Sequence, residues 1–375
     1  MFKRGAAVAA AAIIGISAWT GSVLAGPEVV SGPGHQPDCF AAWSGDTKHF
    51  QWEAKEPPFR VALVNGFVGN TWRIQMIQTA KAFVAQPEIA PLIKEFKVVS
   101  TGTDAAAQLG AIEDFINQGF DVIVTIAVSP TGFDRVIRLS NRNDVVLVPF
   151  DNILDTDTVM MVNENQLEMG RMSANWLIDH VGTSGKVLEV RGLPGNSVDR
   201  DRHLGFREIM EKAGNDFEII EVVGNWDDGT AQKATADALA VHGKFDAVFT
   251  QGGSTGSVRA MIDAGHDFVP MAGEAENGFR KLVAKHAGDG LKGLSYGQSP
   301  GLVAIAIKAG LEARQGKVLP QLISVPIPVV DYTQLKDGEN YWSDLTDNFF
   351  TPNEFPPCGV NITAVEIMGQ TAEDE

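Results

Sequence analysis

The sequence predicts an α/β protein with two Rossmann-like lobes, each built on a parallel sheet. Short apolar runs alternate with segments of helical periodicity along most of the chain, and this order gives right-handed crossovers between parallel strands. The runs are apolar throughout, as expected for strands that are buried on both faces. The alternation pauses at DTDTVMMVNEN, residues 155–165, and then restarts, so the regular region divides into two similar halves.

The first 25 residues have the pattern of a signal peptide. Lys3 and Arg4 precede an apolar run from Gly5 to Trp19, and Val23-Leu24-Ala25 fits a small-residue cleavage site. We expect cleavage near Ala25 and an exported protein. An uncleaved membrane anchor is the alternative, but the run is shorter than the roughly 20 residues needed to span a bilayer. No other stretch of the sequence has the length and hydrophobicity of a span.

Residues 26–59 are rich in glycine, proline and polar residues and are predicted to form an N-terminal extension that packs on the surface. The two cysteines, Cys39 and Cys358, lie near opposite ends of the exported chain. Export favours a disulfide between them, and two unpaired buried thiols are the alternative. Apart from His35, which precedes Cys39 in HQPDC, neither cysteine has a Cys or His at ligand spacing, so a metal site is not expected.

The elements of the first half follow in order from residue 61. Strands and helices alternate there as Val61–Val64, Thr71–Ala85, Phe96–Ser100, Ala105–Gln118, Val122–Val128, Gly132–Arg142 and Val145–Phe150. The second half begins with a helix and alternates as Gln166–Val181, Lys186–Arg191, Val198–Ala213, Phe217–Val223, Thr230–His242, Ala247–Thr250, Thr255–Ala264, Val269–Ala272, Phe279–His286 and Leu291–Gly297.

A last helix, Leu302–Gln315, and a last strand, Ile323–Val330, complete the regular region. The tail from Asp331 is irregular and aromatic. Its rings are expected to cover apolar surface, with a ligand role as the alternative: Tyr341, Trp342, Phe349, Phe350 and Phe355.

The bulk properties limit the partners. A chain of 375 residues with 44% hydrophobic content is large enough for two cores. Its formal charge of −17, from 47 acidic and 30 basic residues, repels nucleic acid and anionic lipid, so neither partner is expected.

Polar and aromatic side chains follow nearly every predicted strand. Ligands bind at the carboxyl ends of the strands in open parallel sheets. The residues in these positions are Asn70, Trp72, Arg73, Ser129, Asp151 and Asn152 in the first half, and Asn196, Arg202, Trp226, Gln251, Glu274 and Gln298 in the second. Any one of them could instead be a helix cap or a turn former, but both halves show the pattern.

The chemistry of this set favours a neutral, polyhydroxylated ligand. Arg and Asp side chains can each bind two neighbouring hydroxyls, and Asn and Gln amides both donate and accept. Trp faces offer flat apolar area to the C–H side of a sugar ring. Arg73 and Arg202 balance Asp151 and Glu274, which argues against a phosphate or an ammonium ligand.

Several motifs in order resemble a known family. The series VALVNGFVGNTWR, VLVPFDN, VNEN, GLPGNSVDRDRHLGF, DAVFTQG, AGE and YGQSPG is similar to that of periplasmic sugar-binding proteins of ABC transporters, in the ribose-binding-like group. The resemblance runs from about Arg60 to Val330. It implies a type I periplasmic binding protein: a periplasmic monomer with no cofactor or metal, which delivers a sugar to a membrane permease.

The resemblance also implies a domain division and a hinge. The first lobe would comprise residues 60–163 and 299–326, and the second lobe residues 164–298 and 327–375. Asn163–Asn165 and Gln298–Pro300 resemble hinge strands that cross between the lobes.

The family roles of the site residues carry over position by position. Asn70 and Trp72 resemble the first-lobe loop that contacts sugar, and Asp151 and Asn152 an acidic-plus-polar pair. In the second lobe, Arg202 resembles the family's hydroxyl-binding arginine and Trp226 its aromatic wall. Glu274 resembles its acidic hydroxyl acceptor, and Gln298 the amide before the last crossover.

Three departures from the ribose binders change the expected ligand. Arg73 stands where they usually carry a second aromatic residue, Gly252-Gly253 where they often carry Asn-Asp or Asp, and Trp226 is larger than the usual Phe. The ligand is therefore expected to be a monosaccharide or related polyol other than ribose.

Other function classes remain as alternatives. A secreted sugar-acting enzyme could use Asp151 and Glu274 as a carboxylate pair or His203 as an acid–base group, but the chain has no H-E-x-x-H or P-loop pattern. A repressor of this fold would need an N-terminal helix-turn-helix. A protein that presents its ligand to a chemoreceptor is compatible with every feature above.

Overall fold

The computed structural model describes residues 26–214 and 216–374, together with Met1. Met1 apart, the predicted signal peptide lies outside the described residues. None of the helices in the described part of the chain is long and apolar enough to cross a membrane.

The N-terminal extension forms three short strands that pack on the first lobe: β1 (Glu28–Val30), β2 (Ala41–Ala42) and β3 (His49–Gln51). β1 and β3 pair antiparallel. The extension contributes Phe40, Phe50 and Trp52 to the hydrophobic core of the first lobe, each at most 4% exposed.

The first lobe is a parallel sheet with helices on both faces. Its elements are β4 (Phe59–Asn65), α1 (Thr71–Val84), β5 (Ile93–Ser100), α2 (Ala105–Asn117), β6 (Val122–Ile126), α3 (Asp134–Arg142) and β7 (Val146–Pro149). The strand order is β5-β4-β6-β7, and all pairs are parallel. One core lies on each face of the sheet, because the apolar strands point buried side chains in both directions.

The second lobe repeats this plan after the chain crosses over. The chain leaves the first lobe at the end of β8 (Met161–Glu164), and the second lobe then comprises α4 (Gln166–Val181), β9 (Ser184–Arg191), α5 (Ser197–Ala213), β10 (Asp216–Val223), α6 (Asp228–His242), β11 (Ala247–Thr250), α7 (Ser254–Asp263), β12 (Met271–Glu274), α8 (Asn277–His286) and β13 (Gly293–Tyr296). Strands β10-β9-β11-β12-β13 form a parallel sheet in that order, with a core on each face.

The chain then returns to the first lobe and leaves it again through α9 (Leu302–Arg314), β14 (Leu319–Pro320), β15 (Leu322–Val325) and β16 (Val329–Asp331). β15 pairs parallel with β8, whereas β16 pairs antiparallel with β13 in the second sheet. The single strand predicted at Ile323–Val330 is therefore wrong. Pro326 and Pro328 interrupt it, because proline has no backbone donor, and the chain changes sheets there.

In the described chain before the tail, three segments cross between the lobes, and the fold class predicted from the sequence is confirmed. The chain crosses after β8, between β13 and α9, and between β15 and β16. The segments predicted as hinge strands, Asn163–Asn165 and Gln298–Pro300, lie at the first two crossings.

The tail spans both lobes. It contains β17 (Glu354–Phe355), β18 (Val360–Asn361) and α10 (Ala364–Met368). Its beginning lies on the second lobe, where the Asn277 amide donates to the Trp342 carbonyl (2.8 Å). Its end lies on the first lobe, where Gln78 of α1 donates to the Gln370 carbonyl (2.8 Å). The sequence assigned the whole of 327–375 to the second lobe, whereas these contacts put the end of the tail on the first.

The expected disulfide is present between Cys39 and Cys358. It joins the N-terminal extension to the tail over a sequence separation of 319 residues. Both sulfurs lie in the core of the first lobe, so the bond fixes the end of the tail to that lobe.

Candidate ligand site

A cavity lies between the lobes, at the carboxyl ends of both sheets. Eight of the twelve residues selected at the ends of predicted strands line it, and Val198 and Phe350 complete the wall: Asn70, Trp72, Arg73, Asp151, Asn152, Trp226, Glu274 and Gln298. The empty volume between its walls, including the open mouth, is about 350 Å³. The volume that the centres of water molecules can occupy is only about 30 Å³. That room holds a few waters, so the walls stand close together.

The first-lobe wall is built on the start of α1. Asn70 is the N-cap, and its side chain accepts from the Arg73 N–H (3.0 Å), so the same residue caps the helix and faces the cavity. Trp72 Nε1 donates to the Gln298 carbonyl across the lobe boundary (3.0 Å). The Arg73 guanidinium donates to Asn65 Oδ1 (3.0 Å).

Unpartnered acceptors face the cavity after β7. Asp151 has a left-handed backbone (φ 62°), and the Asn152 amide donates to the Ala127 carbonyl (2.8 Å). Oδ1 of Asp151 and Oδ1 of Asn152 are buried and have no hydrogen-bond partner among the described residues. Burial raises the pKa of Asp151 to about 6, against the opposing attraction of Arg73 and Arg202. Buried acceptors of this kind normally have a donor.

Arg202 is fully buried behind the cavity wall and does not line the cavity. Its Nη1 donates to Glu274 Oε1 (2.6 Å), its Nη2 to Gln298 Oε1 and its Nε to Gln166 Oε1 (2.8 Å). Burial raises the pKa of Glu274, and the charge of Arg202 acts in the opposite direction. Arg202 therefore holds two cavity-lining side chains in place.

The other predicted residues lie away from the cavity surface. The Gln251 amide donates to the Asp199 carbonyl (3.2 Å) behind the wall. Asn196 caps α5 by accepting from the Val198 N–H (2.8 Å), and Ser129 accepts within a turn from the Thr131 N–H (3.3 Å). His203 pairs with Glu189 (2.9 Å), outside the cavity, which leaves the acid–base alternative without support.

Trp226 forms the second-lobe wall, and two glycines make room for its ring. A Cβ at Gly192 would lie 2.2 Å from the ring, and one at Gly252 would lie 2.9 Å from the ring and 3.0 Å from Glu274 Oε2. Gly252 also has a φ of +151°, which disfavours any residue with a side chain. The Trp226 ring and the glycine at position 252 are therefore in contact, and a side chain at position 252 would force the ring or Glu274 to shift.

Phe350 brings an aromatic ring from the tail into the cavity wall. Its backbone N–H donates to Gln75 Oε1 (2.8 Å), and its carbonyl accepts from Gln75 Nε2 (2.9 Å). Glu276 of the second lobe forms an antiparallel bridge with Phe350. The sequence pointed to the tail rings but gave no spacing that selected this one, because the tail folds back over the cleft through contacts distant in sequence.

The geometry agrees with comparisons to known proteins. A family model described as a periplasmic binding protein domain matches residues 61–318. The chain belongs to the periplasmic binding protein family. The ribose import binding protein of Bacillus subtilis is 24% identical over 238 residues, which cover 61% of this chain and 75% of that protein.

Solved structures show the same fold. An ABC transporter solute binding protein from Thermobispora bispora superposes with a TM-score of 0.68 at 24% identity, covering 77% of this chain and 89% of that one. A periplasmic solute binding protein from Actinobacillus succinogenes with bound D-allose gives a TM-score of 0.64 at 20% identity, and the match covers 73% of this chain and 98% of that one. These three relatives are binding proteins and not enzymes. Residues 26–60 and 319–374 lie outside the region that the family model matches.

Proposed function

We propose that the protein is the substrate-binding component of an ABC importer and captures a neutral monosaccharide or related polyol between its lobes. The observation that carries this proposal is the cavity between the lobes, which is lined by two Trp side chains, two unpartnered acceptors of the first lobe and one unpartnered donor of the second. Family membership and sugar-binding relatives support the same function. They also support a periplasmic location for the mature chain, and from the sequence pattern we propose that the signal peptide is removed near Ala25.

The hydrogen-bonding groups suit hydroxyls. Oδ1 of Asp151 and Oδ1 of Asn152 need donors, and Nε1 of Trp226 is a buried donor without a partner among the described residues. A hydroxyl can donate to the first two and accept from the third. Asp151 and Glu274 face the charges of Arg73 and Arg202, so a neutral ligand leaves the site balanced, whereas an ion would unbalance it.

The small free volume implies motion. A sugar ring is larger than a few water molecules, so the walls must separate before it enters. The three crossing segments supply a hinge of the type known for periplasmic binding proteins. We assign residues 60–163 and 299–326 to one lobe and 164–298 with the start of the tail to the other. Closure then excludes water and strengthens the hydrogen bonds to the sugar.

The closed protein would then dock as a monomer on its membrane permease and release the sugar there. A ligand stabilises the closed form only by the contacts that the open form lacks. We expect such contacts with the sugar from Trp72 of the first lobe, Trp226 of the second lobe and Phe350 of the tail.

A thermal-shift screen against pentoses, hexoses, deoxy-sugars and linear polyols, followed by calorimetry, tests the proposal. We expect at least one neutral compound to bind with one-to-one stoichiometry and to change tryptophan emission. Trp226→Phe should reduce that emission change, and Trp43→Phe, a half-buried tryptophan outside the cavity, should leave it intact. Binding of sugar phosphates or amino acids in place of neutral compounds would overturn the proposal, as would turnover of the sugar.

A further inference from the structure

A second cavity lies beside the crossing between β15 and β16, under the tail. Its free room is about 470 Å³, far larger than that of the cavity between the lobes. Its walls combine polar residues with an apolar and aromatic part: Pro328, Val329, Trp342, Phe349 and Ile362. Most of the lining comes from residues 339–364, which lie outside the part of the chain that the family model matches.

A single buried cation lines this cavity. Arg280 of α8 is 3% exposed. Its Nε donates to Ser295 Oγ (2.8 Å), and its Nη1 donates to the Asn340 carbonyl (2.6 Å). Its Nη2 is buried and has no hydrogen-bond partner among the described residues.

No carboxylate in the described chain forms a salt bridge with Arg280. Glu339, on the rim, is 65% exposed and pairs with Lys336 (3.4 Å), and Glu354 on the rim is exposed. Burial lowers the pKa of Arg280 to about 9, with no nearby charge acting in the opposite direction. Removing a guanidinium from water without an anion is costly, so the site as built favours an incoming anion.

We propose that this cavity is a second binding site, for a small organic anion whose oxyanion group binds Arg280 and whose apolar body packs on Trp342 and Phe349. A carboxylate or phosphate oxygen would accept from the free Nη2 and neutralise the guanidinium. The apolar walls then favour an anion with an aromatic or aliphatic body over a fully hydrated ion. The site is separate from the proposed sugar site and does not depend on it.

Calorimetric titration of the folded protein with benzoate tests this proposal. Benzamide serves as the neutral control of nearly the same shape, and inorganic phosphate as the anion without an apolar body. We expect saturable benzoate binding at least about tenfold tighter than that of benzamide, as for one charge-assisted interaction. Phosphate should bind more weakly than benzoate. Equal affinities for benzoate and benzamide, or no benzoate binding, would overturn the proposal.

Two variants locate the site. Arg280→Met should weaken benzoate at least about tenfold and leave sugar binding unchanged, while Arg280→Lys keeps the charge and should retain part of the affinity. Unchanged benzoate affinity in a folded Arg280→Met protein would refute the assignment. If Arg280→Met does not fold, two other measurements test the assignment. The unmodified protein should bind benzoate more tightly than benzamide, and Trp342→Ala should bind benzoate more weakly than the unmodified protein; failure of either would refute the assignment.

Discussion

Replacement of Asp151 by Asn should stabilise the ligand-free protein at neutral pH while weakening sugar binding. The carboxyl is buried with one oxygen unpartnered, and burial raises its pKa from 3.8 to about 6. The neutral form therefore stabilises the folded state. That contribution is fully present below pH 3.8 and is lost as the pH rises through about 6.

The magnitude follows from the size of the pKa change. A rise from 3.8 to about 6 corresponds to about 3 kcal/mol, and this is the cost of ionising Asp151 in the folded protein. Asparagine is neutral at every pH and avoids that cost. The free energy of unfolding of Asp151→Asn should exceed that of the unmodified protein by about 2–3 kcal/mol more at pH 7.5 than at pH 4, so the variant is relatively more stable at the higher pH.

Urea unfolding at the two pH values, followed by tryptophan fluorescence, measures this difference. Asp157→Asn is the control, because Asp157 is exposed and its hydrogen bond and ion pair with Lys48 lower its pKa, so its small pH effect has the opposite sign. The reasoning would be refuted if the free energies of unfolding of Asp151→Asn and the unmodified protein differed by the same amount at pH 7.5 and at pH 4.

Three further predictions concern the tail and the aromatic walls. Phe350→Ala should weaken sugar binding about five- to tenfold in calorimetry, because it removes one ring from the wall. Replacing Cys39 and Cys358 by serine should lower the free energy of unfolding by about 2–5 kcal/mol, and a reductant should destabilise the unmodified protein but not this variant. Gly252→Ala should lower sugar affinity at least about tenfold, because its Cβ would meet Trp226 and Glu274.

Matched controls separate these effects from general damage. Val365→Ala changes an 83% exposed tail residue and should leave sugar affinity unchanged. Gly288→Ala adds a Cβ with nothing within 4 Å and should behave like the unmodified protein. If Phe350→Ala matches Val365→Ala in affinity, the tail has no role in binding, and if Gly252→Ala matches Gly288→Ala, the packing argument for Trp226 fails.

The strands and helices were predictable because each lobe follows a local rule. Apolar runs buried on both faces, such as Val61–Val64, read as parallel strands without knowledge of their neighbours. The positions after the strands then converge because parallel strands end at one edge of a sheet. This is why Asn70, Asp151 and Glu274 were selected from sequence and line one cavity.

Features that depend on distant contacts were not predictable. Phe350 does not follow a strand of either parallel sheet, and it reaches the cavity because Gln75 holds its backbone. Arg202 was selected as a ligand contact, yet its partners Gln166, Glu274 and Gln298 keep it behind the wall. Spacing identifies which residues approach a site, but it does not determine which of them faces the ligand.

A crystal structure of the protein with the sugar found in the screen tests the central claim most directly. We predict one sugar between Trp72 and Trp226, with its hydroxyls on Asp151 and Asn152 and contacts from both lobes. A sugar bound to one lobe alone, or outside the cleft between the two sheets, would contradict the account.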